Sequence, residues 1–345
     1  MTRSNGNDRS SEAARPSRGP PGRVEVVTGR EGGLGTFGGV FTPSILTILG
    51  VIMYLRFGWV LGQVGLAGTL AIVTLSTSIT FLTALSIAAI ATDERVRTGG
   101  AYYMISRSLG IETGGAVGIP LYLAQALSVA LYTVGFAESV ARAFPSLDER
   151  LIGLVTTVAV AALALRSARA AIRVQYLIMG AIGLSLLSLA FGSPLEGVQP
   201  QGMGLPDLVP TESFWVVFAV FFPAVTGIMA GVNMSGDLED PGRSIPKGTF
   251  AAIGVGYAIY MALPVLLMTR ADTASLVSDP LVMRRIAFWG DAILVGVWGA
   301  TLSSAVGSIL GAPRVLQALA RDGILPRSLG WLGRGSGAED TPRAG

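Results

Sequence analysis

Two apolar stretches of the sequence combine residue types that can interrupt a membrane helix. Residues 43–50 contain proline, threonine and glycine, and residues 223–227 contain the same three types. A broken helix frees carbonyl groups at one cut end, where cations bind, and amide groups at the other, where anions bind. The two stretches could therefore hold ions within a membrane, although glycine and proline are also common in uninterrupted membrane helices.

Other backbone and hydroxyl groups could take part in the same chemistry. The amides of residues 50–52 and 227–229 directly follow the two weak points, so they could bind chloride or could be ordinary helix interior. Ser303 and Ser304 are adjacent in another apolar stretch. They could bind sodium, or they could bond back to their own helix as membrane serines often do.

The ionisable residues exclude several kinds of site. The 345 residues include no cysteine and no histidine, which removes thiolate chemistry and the commonest general base and zinc ligand. Carboxylates near the apolar stretches are few, chiefly Glu138 and Asp291 near predicted helix ends. Neutral oxygen ligands are then left for any cation, and they suit hard alkali ions. Arg56 is isolated in a neutral region and should pair with Glu138, or both should reach the membrane surface.

The elements that would position these groups are membrane helices. Half of the residues are hydrophobic (51%), only 14% are charged, and the mean hydropathy is +0.60. About 20 apolar helical residues cross the hydrocarbon core of a bilayer. The sequence predicts eight spans, at 38–62, 65–91, 113–142, 150–166, 171–193, 213–234, 247–269 and 288–312. The two weak points fall in spans 1 and 6, as two repeats of five helices would place them.

The segments outside the spans predict the topology. Residues 1–34 are rich in Ser, Gly, Pro and Arg and are predicted to be a disordered tail without a signal peptide. Their six arginines place the N-terminus in the cytoplasm, since positive charge favours that side. Residues 35–312 form the transmembrane domain, with a re-entrant or interfacial helix at 99–110, and 313–345 return to the cytoplasm. Three arginines of the last outer loop do not fit this charge rule: Arg270, Arg284 and Arg285.

The chain resembles the cation-chloride cotransporter family, of the Na-K-Cl cotransporter type, within the amino acid–polyamine–organocation superfamily. The similar stretches are 48–63, 99–118, 131–140, 220–250 and 300–324, and the resemblance extends over about 38–335. The motif from Phe221 to Leu238 is specific to the family, whereas 240–247 also resembles amino acid permeases. The resemblance implies an all-α, LeuT-type inverted-repeat transporter, not an enzyme, with no cofactor and with spans 1 and 6 unwound.

The resemblance also implies ion sites built largely from backbone groups. Potassium would lie among carbonyl and hydroxyl oxygens of Thr47, Ile48, Tyr132, Pro223 and Thr226. One chloride would be held by amides of Gly50, Val51 and Ile52, and the second by amides of Gly227, Ile228 and Met229. Sodium would be held by Leu46, Leu49, Ala300, Ser303 and Ser304. Arg56 and Glu138 resemble an outer gate, and Asp237 and Arg314 resemble part of an inner gate.

The chain departs from the family pattern in two respects. Family members usually carry asparagine where this chain has Thr47. The family has twelve spans and a tyrosine in span 10 that completes the second chloride site, whereas this sequence stops at Gly345, after eight spans. We expect either a truncated reading frame or a product that does not transport.

These observations predict a multi-pass symporter for Na⁺, K⁺ and Cl⁻, located in the cell membrane and forming a homodimer by family resemblance. One alternative is an amino acid permease of the same superfamily, which would need a Gly-x-Gly notch where residues 46–51 read LeuThrIleLeuGlyVal. The other alternative is a truncated remnant without transport activity.

Overall fold

The computed structural model describes residues 33–93, 100–166, 168–197, 212–336 and 341–342. The α-helices in these ranges are α1 (Thr42–Ile48), α2 (Val51–Leu55), α3 (Phe57–Asp93), α4 (Gly100–Leu109), α5 (Ile111–Ala143), α6 (Glu149–Arg166), α7 (Ala168–Ala190), α8 (Phe214–Phe221), α9 (Met229–Val232), α10 (Pro241–Met268), α11 (Thr273–Ser278), α12 (Val282–Ile286) and α13 (Gly290–Arg321). A π-helix at Phe37–Phe41 and 3₁₀-helices at Phe222–Val225, Ser235–Asp237 and Arg327–Gly333 complete the helical segments. The strands in these ranges are two residues each, Gly335–Ser336 and Thr341–Pro342.

Six helical segments among the described residues are long and apolar enough to cross a membrane. They are Phe37–Leu55, Phe57–Asp93, Ile111–Ala143, Phe214–Asp237, Pro241–Met268 and Gly290–Arg321. The predicted spans 4 and 5 fall on α6 and α7. The apolar part of α7, Val174–Ala190, is shorter than the six segments above. Because lipid offers no hydrogen-bond partners, apolar sequence of this length must satisfy its backbone within helices. The protein is an integral, multi-pass, all-α membrane protein.

Spans 1 and 6 are both interrupted, as the sequence predicts. In the first, α1 ends at Ile48, Leu49 and Gly50 leave helical geometry, and α2 begins at Val51. In the second, α8 passes into the 3₁₀-helix Phe222–Val225, and α9 begins only at Met229.

The boundary between the first two predicted spans lies close to its predicted position. The loop predicted at 63–64 adjoins Gly65, where a kink divides α3 into two helical parts: Gly65 has φ of 66° and ψ of −175°, which is not helical. Glycine adopts such a left-handed φ without a steric cost. The sequence does not predict a second, smaller irregularity at Arg56, which separates α2 from α3 within the first predicted span.

Both ends of the predicted transmembrane domain also differ. Leu34, assigned to the disordered tail, is paired with the segment after α9: its amide donates to the Asp237 carbonyl at 2.8 Å, and Glu239 donates to its carbonyl at 3.0 Å. The rest of that tail, residues 1–32, lies outside the described residues. At the other boundary, α13 continues past the predicted end at 312 to Arg321. The predicted short helix at 99–110 falls on α4, which packs against α5 and α13.

The three arginines that do not fit the charge rule all have partners. The Arg270 guanidinium donates to the Leu189 carbonyl and, at 2.7 Å, to that of Ala190, so it caps the C-terminal end of α7. Arg284 pairs with Asp291 at 3.1 Å and Arg285 pairs with Asp279 at 3.3 Å. These charges fix local structure, which accounts for arginines on a side where charge alone would not place them.

Candidate ion-binding site

The break in span 1 exposes backbone groups of both signs. Leu49 donates to the Ile45 carbonyl at 2.8 Å, which is the last bond of α1. Beyond it, the amides of Gly50, Val51 and Ile52 have no backbone acceptor within the described part of the chain. These amides stand at the positive N-terminal end of α2, where an anion is stabilised.

The break in span 6 has the same character. Thr226 donates its amide to the Pro223 carbonyl at 3.4 Å, and its hydroxyl donates to the same oxygen at 2.8 Å. The amides of Gly227, Ile228 and Met229 have no backbone acceptor among the described residues. Within the described part of the chain, three consecutive amides therefore lack a backbone partner at each break, at the positions where the family resemblance predicts the two chlorides.

The two breaks lie directly against each other. A Cβ placed on Gly227 would be 2.8 Å from the Ile48 nitrogen and 2.8 Å from the Thr47 Cβ. On the other side of the break, Ser44 Oγ donates to the Ile228 carbonyl at 3.5 Å. The carbonyl end of one interrupted helix and the amide-bearing turn of the other are therefore in contact, which brings together cation-attracting and anion-attracting groups.

Tyr132 is carried to this region by α5. Gly135, one helical turn further, is packed so closely that an added Cβ would collide with the Val51 side chain. Tyr132 is 9% exposed, and its hydroxyl makes no hydrogen bond within the described part of the chain. The hydroxyl oxygen itself is not fully enclosed, so it is open to water or to an ion.

The remaining predicted potassium ligands make contacts within the protein. Thr47 Oγ1 donates to the Pro43 carbonyl at 2.9 Å, so this hydroxyl is directed at its own helix. The Ile48 carbonyl accepts a 2.7 Å hydrogen bond from the Tyr260 hydroxyl. The Ile48 carbonyl keeps a second lone pair for a cation, whereas the Pro223 carbonyl already accepts from both the amide and the hydroxyl of Thr226.

The predicted sodium ligands come from α1 and its C-terminal end and from α13, two helices that contact each other. Leu46, Leu49, Ala300 and Ser304 are all buried, each at 5% exposure or less. The Ser304 oxygen is buried and has no hydrogen-bond partner among the residues that the structure describes. It thus does not bond back to its own helix, in contrast to Thr301, which donates to the Val297 carbonyl at 2.7 Å.

Both charged pairs predicted as gates form ion pairs. Arg56 holds Glu138 with two bonds of 3.1 and 2.6 Å, and Arg142 adds a third contact at 3.3 Å. Arg314 contacts Asp237 at 3.4 Å and donates to the Asn233 carbonyl at 3.2 Å. The two pairs lie on opposite sides of the breaks, and we refer to these sides as the Arg56 end and the Arg314 end.

A cavity of about 310 Å³ opens next to the first pair. Its lining comes from α2, α3, α8 and the α11 region: Leu55, Arg56, Trp59, Val220, Leu276, Val277 and Pro280. Arg56 is the charged residue of this lining, and the other lining residues are apolar. The cavity therefore lies at the Arg56 end and is largely apolar.

Sequence reasoning missed two residues at the site. Tyr260 was not identified because a tyrosine inside an apolar helix carries no signal of which element it faces. Arg142 could have been identified, since it lies four residues from Glu138 on one helix, where opposite charges pair.

Two helices broken at matching places, facing each other within a bundle of membrane helices, define a LeuT-type transporter fold. The chain belongs to the amino acid permease family, which it matches over residues 39–337.

Individual relatives narrow this assignment. The chain is 36% identical over 324 residues to solute carrier family 12 member 8 of Mus musculus, covering 90% of this chain and 46% of the relative. It is 33% identical over 384 residues to member 2 of Homo sapiens, covering 93% of this chain and 32% of the relative. It is 32% identical over 368 residues to member 1 of Homo sapiens, covering 89% and 33%.

These matches confirm the resemblance to the cation-chloride cotransporters. The chain spans less than half the length of these relatives.

Proposed function

We propose that the protein is a symporter that couples Na⁺, K⁺ and Cl⁻ by alternating access. The observation that carries this proposal is the contact between the two helix breaks, where Gly227 lies against Thr47 and Ile48. It juxtaposes unpaired amides with the carbonyl end of α1, so neighbouring sites of opposite sign can be filled together.

Potassium would bind where the carbonyl end of α1 meets span 6 and α5. Tyr132 supports this assignment because the residue is largely buried while its hydroxyl has no partner within the described residues and stays open to a ligand. The carbonyls of Thr47, Ile48 and Pro223 and the Thr226 oxygen would complete the site. Neutral oxygens of this kind replace the hydration shell of an alkali cation.

The two chlorides would bind at the amides of residues 50–52 and 227–229. Support comes from the lack of backbone acceptors for both sets. The two anion sites flank the proposed potassium site, so each ion lowers the electrostatic cost of burying the others. This mutual stabilisation is the physical basis of coupled, electroneutral movement.

Sodium would bind between α1 and α13. The buried Ser304 oxygen without a partner supports a ligand at this position. With Ser303, Ala300, Leu46 and Leu49 it would supply the oxygens that a sodium ion requires.

Access from the two sides would be controlled by the two ion pairs. Arg56 and Glu138 would close the outer side, and Asp237 and Arg314 would close the inner side. We further propose a cell-membrane location with a cytoplasmic N-terminus, as the arginines of the N-terminal segment favour, and a homodimer, which rests on family resemblance alone.

Tracer uptake tests the proposal. Cells or liposomes carrying the chain are given a rubidium tracer for potassium, and sodium and chloride are replaced in turn by impermeant ions. We expect uptake to require both. Uptake that ignores chloride would overturn the symporter, and chloride-independent uptake of an amino acid would favour a permease.

Two variants test the separate cation sites. Tyr132→Phe removes the unpartnered hydroxyl and should weaken the dependence on potassium, whereas Ser303→Ala with Ser304→Ala should weaken the dependence on sodium. Thr301→Ala is the matched control on α13, because its hydroxyl bonds to its own helix. If a variant shows the same ion dependence as the control, its residues do not form the proposed cation site.

A further inference from the structure

Tyr260 is a buried residue of α10 that reaches the break in span 1. Its side chain is 0% exposed, and its hydroxyl donates a 2.7 Å hydrogen bond to the Ile48 carbonyl, across 212 residues of sequence. Ile48 is the last residue of α1, so this carbonyl is one of those that a helix end leaves without an amide partner.

The ring of Tyr260 is held from two sides by aromatic residues of other elements. Its centroid lies 5.4 Å from that of Phe57 at the start of α3 and 5.2 Å from that of Phe221 at the end of α8. Phe57 and Phe221 also contact each other at 5.7 Å. The three rings join the segment after α2 to the segment before the break in span 6, and they hold the Tyr260 ring with its hydroxyl at the break in span 1.

The packing of α10 against α1 leaves this hydroxyl little freedom. One turn before Tyr260, a Cβ placed on Gly256 would lie 2.7 Å from the Ile48 Cγ2. The absence of that Cβ leaves room for the Ile48 side chain, so Ile48 can approach α10 closely enough for the bond. The direction of the Ile48 carbonyl is therefore set by α10 as well as by its own helix.

We propose that Tyr260 is a positioning residue that sets the size selectivity of the cation site by holding the Ile48 carbonyl in place. This inference rests on the potassium site of the proposed function. The phenol occupies one lone pair of the oxygen and leaves the other for the cation. A carbonyl that cannot follow the ion binds a cation of one radius better than smaller or larger ones. Without the phenol, the carbonyl at the unwound end can adjust its position, and discrimination between ions falls.

Ion-dependent thermal stability of the purified full chain tests this without requiring transport. A ligand that binds only the folded state raises its stability according to its concentration and dissociation constant. Potassium and caesium are titrated separately at constant sodium chloride, with an impermeant organic cation maintaining ionic strength. The ratio of the two half-saturating concentrations measures size selectivity.

Tyr260→Phe keeps the ring and removes only the hydroxyl. We expect the caesium-to-potassium ratio to fall by about fivefold, which corresponds to about 1 kcal/mol, the usual net contribution of one neutral hydrogen bond. The matched control is Tyr54→Phe, because Tyr54 is also buried, at 2%, and its hydroxyl is 2.6 Å from Ser185 Oγ rather than at the break. The control should keep the wild-type ratio.

A second variant covers the case in which Tyr260→Phe does not fold. Gly256→Ala crowds the β-branched side chain of Ile48, which displaces Ile48 from α10 while retaining the phenol, and it should lower the ratio in the same direction. A wild-type ratio in a folded Tyr260→Phe protein, or in Gly256→Ala if the former does not fold, would overturn the inference while leaving the potassium site intact. A wild-type protein that neither potassium nor caesium stabilises would instead overturn the proposed site itself.

Discussion

Substitution of Gly227 by alanine tests whether contact between the two helix breaks is required for ion binding. The added Cβ would lie 2.8 Å from both the Ile48 nitrogen and the Thr47 Cβ, and 3.1 Å from the Ile48 Cγ1. Ordinary contacts begin at 3.4 Å, so the two segments must separate by about 0.6 Å. Two of the three nearest atoms belong to the backbone or its first side-chain carbon, so rotation of a side chain cannot relieve the overlap.

The expected energetic cost follows from this overlap. Forcing one extra methyl group into a well-packed region costs about 1–3 kcal/mol. If the cost falls mainly on the arrangement with both breaks in contact, apparent affinities for potassium and chloride should drop by roughly tenfold or more, since about 1.4 kcal/mol is a factor of ten. Both ions should be affected, because the same displacement separates the amides from the carbonyls.

The assay is the ion dependence of rubidium uptake, together with thermal stabilisation of the purified chain by potassium chloride. Gly254→Ala is the matched control, because Gly254 lies inside α10 and an added Cβ meets nothing within 4 Å. Alanine is a better helix former than glycine by about 1 kcal/mol, so the control should keep its ion affinities and gain slight stability. Equal potassium and chloride affinities in the two variants would refute the reasoning that contact between the breaks creates the sites.

Three further predictions concern the polar contacts around the bundle. Glu138→Gln removes the carboxylate that holds Arg56. The chain contains no cysteine, so a single cysteine introduced into the adjacent cavity reports on access, and it should be labelled about fivefold faster in the variant. An unchanged labelling rate would contradict a closing role for this ion pair. Asp322→Asn weakens the 2.7 Å bond from the Tyr102 hydroxyl and the 3.0 Å ion pair with Arg107, which together tie α4 to the end of α13. Amide hydrogen exchange in α4 should therefore accelerate by roughly tenfold, and equal exchange would show that these contacts of Asp322 do not hold α4. Arg270→Gln removes the cap on the α7 carbonyls and should lower the free energy of unfolding by about 1–2 kcal/mol, measured in thermal melts. Arg270→Lys keeps the positive charge and should lower the free energy of unfolding less. Equal melting temperatures for the wild type and both variants would exclude the cap.

Most of the architecture could be predicted from composition and residue type. Long neutral apolar runs predict membrane helices because the bilayer requires every backbone group to be paired internally. The weak points were also readable: proline removes an amide donor and glycine weakens a helix, and both types occur at matching places in spans 1 and 6. Helix boundaries were less predictable, as shown by the irregularity at Arg56 within the first predicted span and by α13 continuing to Arg321.

At the candidate site, too, some residues could be predicted from the sequence and others could not. Arg56 and Glu138 could be matched from sequence because each is an isolated charge that is costly to leave unpaired near lipid. The predicted ligands at residues 50–52 and 227–229 came from family resemblance and backbone position rather than from side chains. Tyr260 could not be predicted, because its importance depends on a carbonyl 212 residues away and not on any neighbour in sequence.

The sequence by itself determined that this protein is a multi-pass, all-α membrane protein with two interrupted helices, because hydropathy and helix-breaking residues act locally. Only the tertiary structure decided that Gly227 meets Ile48 at the breaks and that Tyr260 fixes the Ile48 carbonyl. The structure also decided that the Ser304 oxygen is left without a partner while Thr301 on the same helix bonds back. The physical reason is that an ion is held by groups from several helices at once, and the relative placement of helices arises from packing between distant segments, which no local pattern specifies.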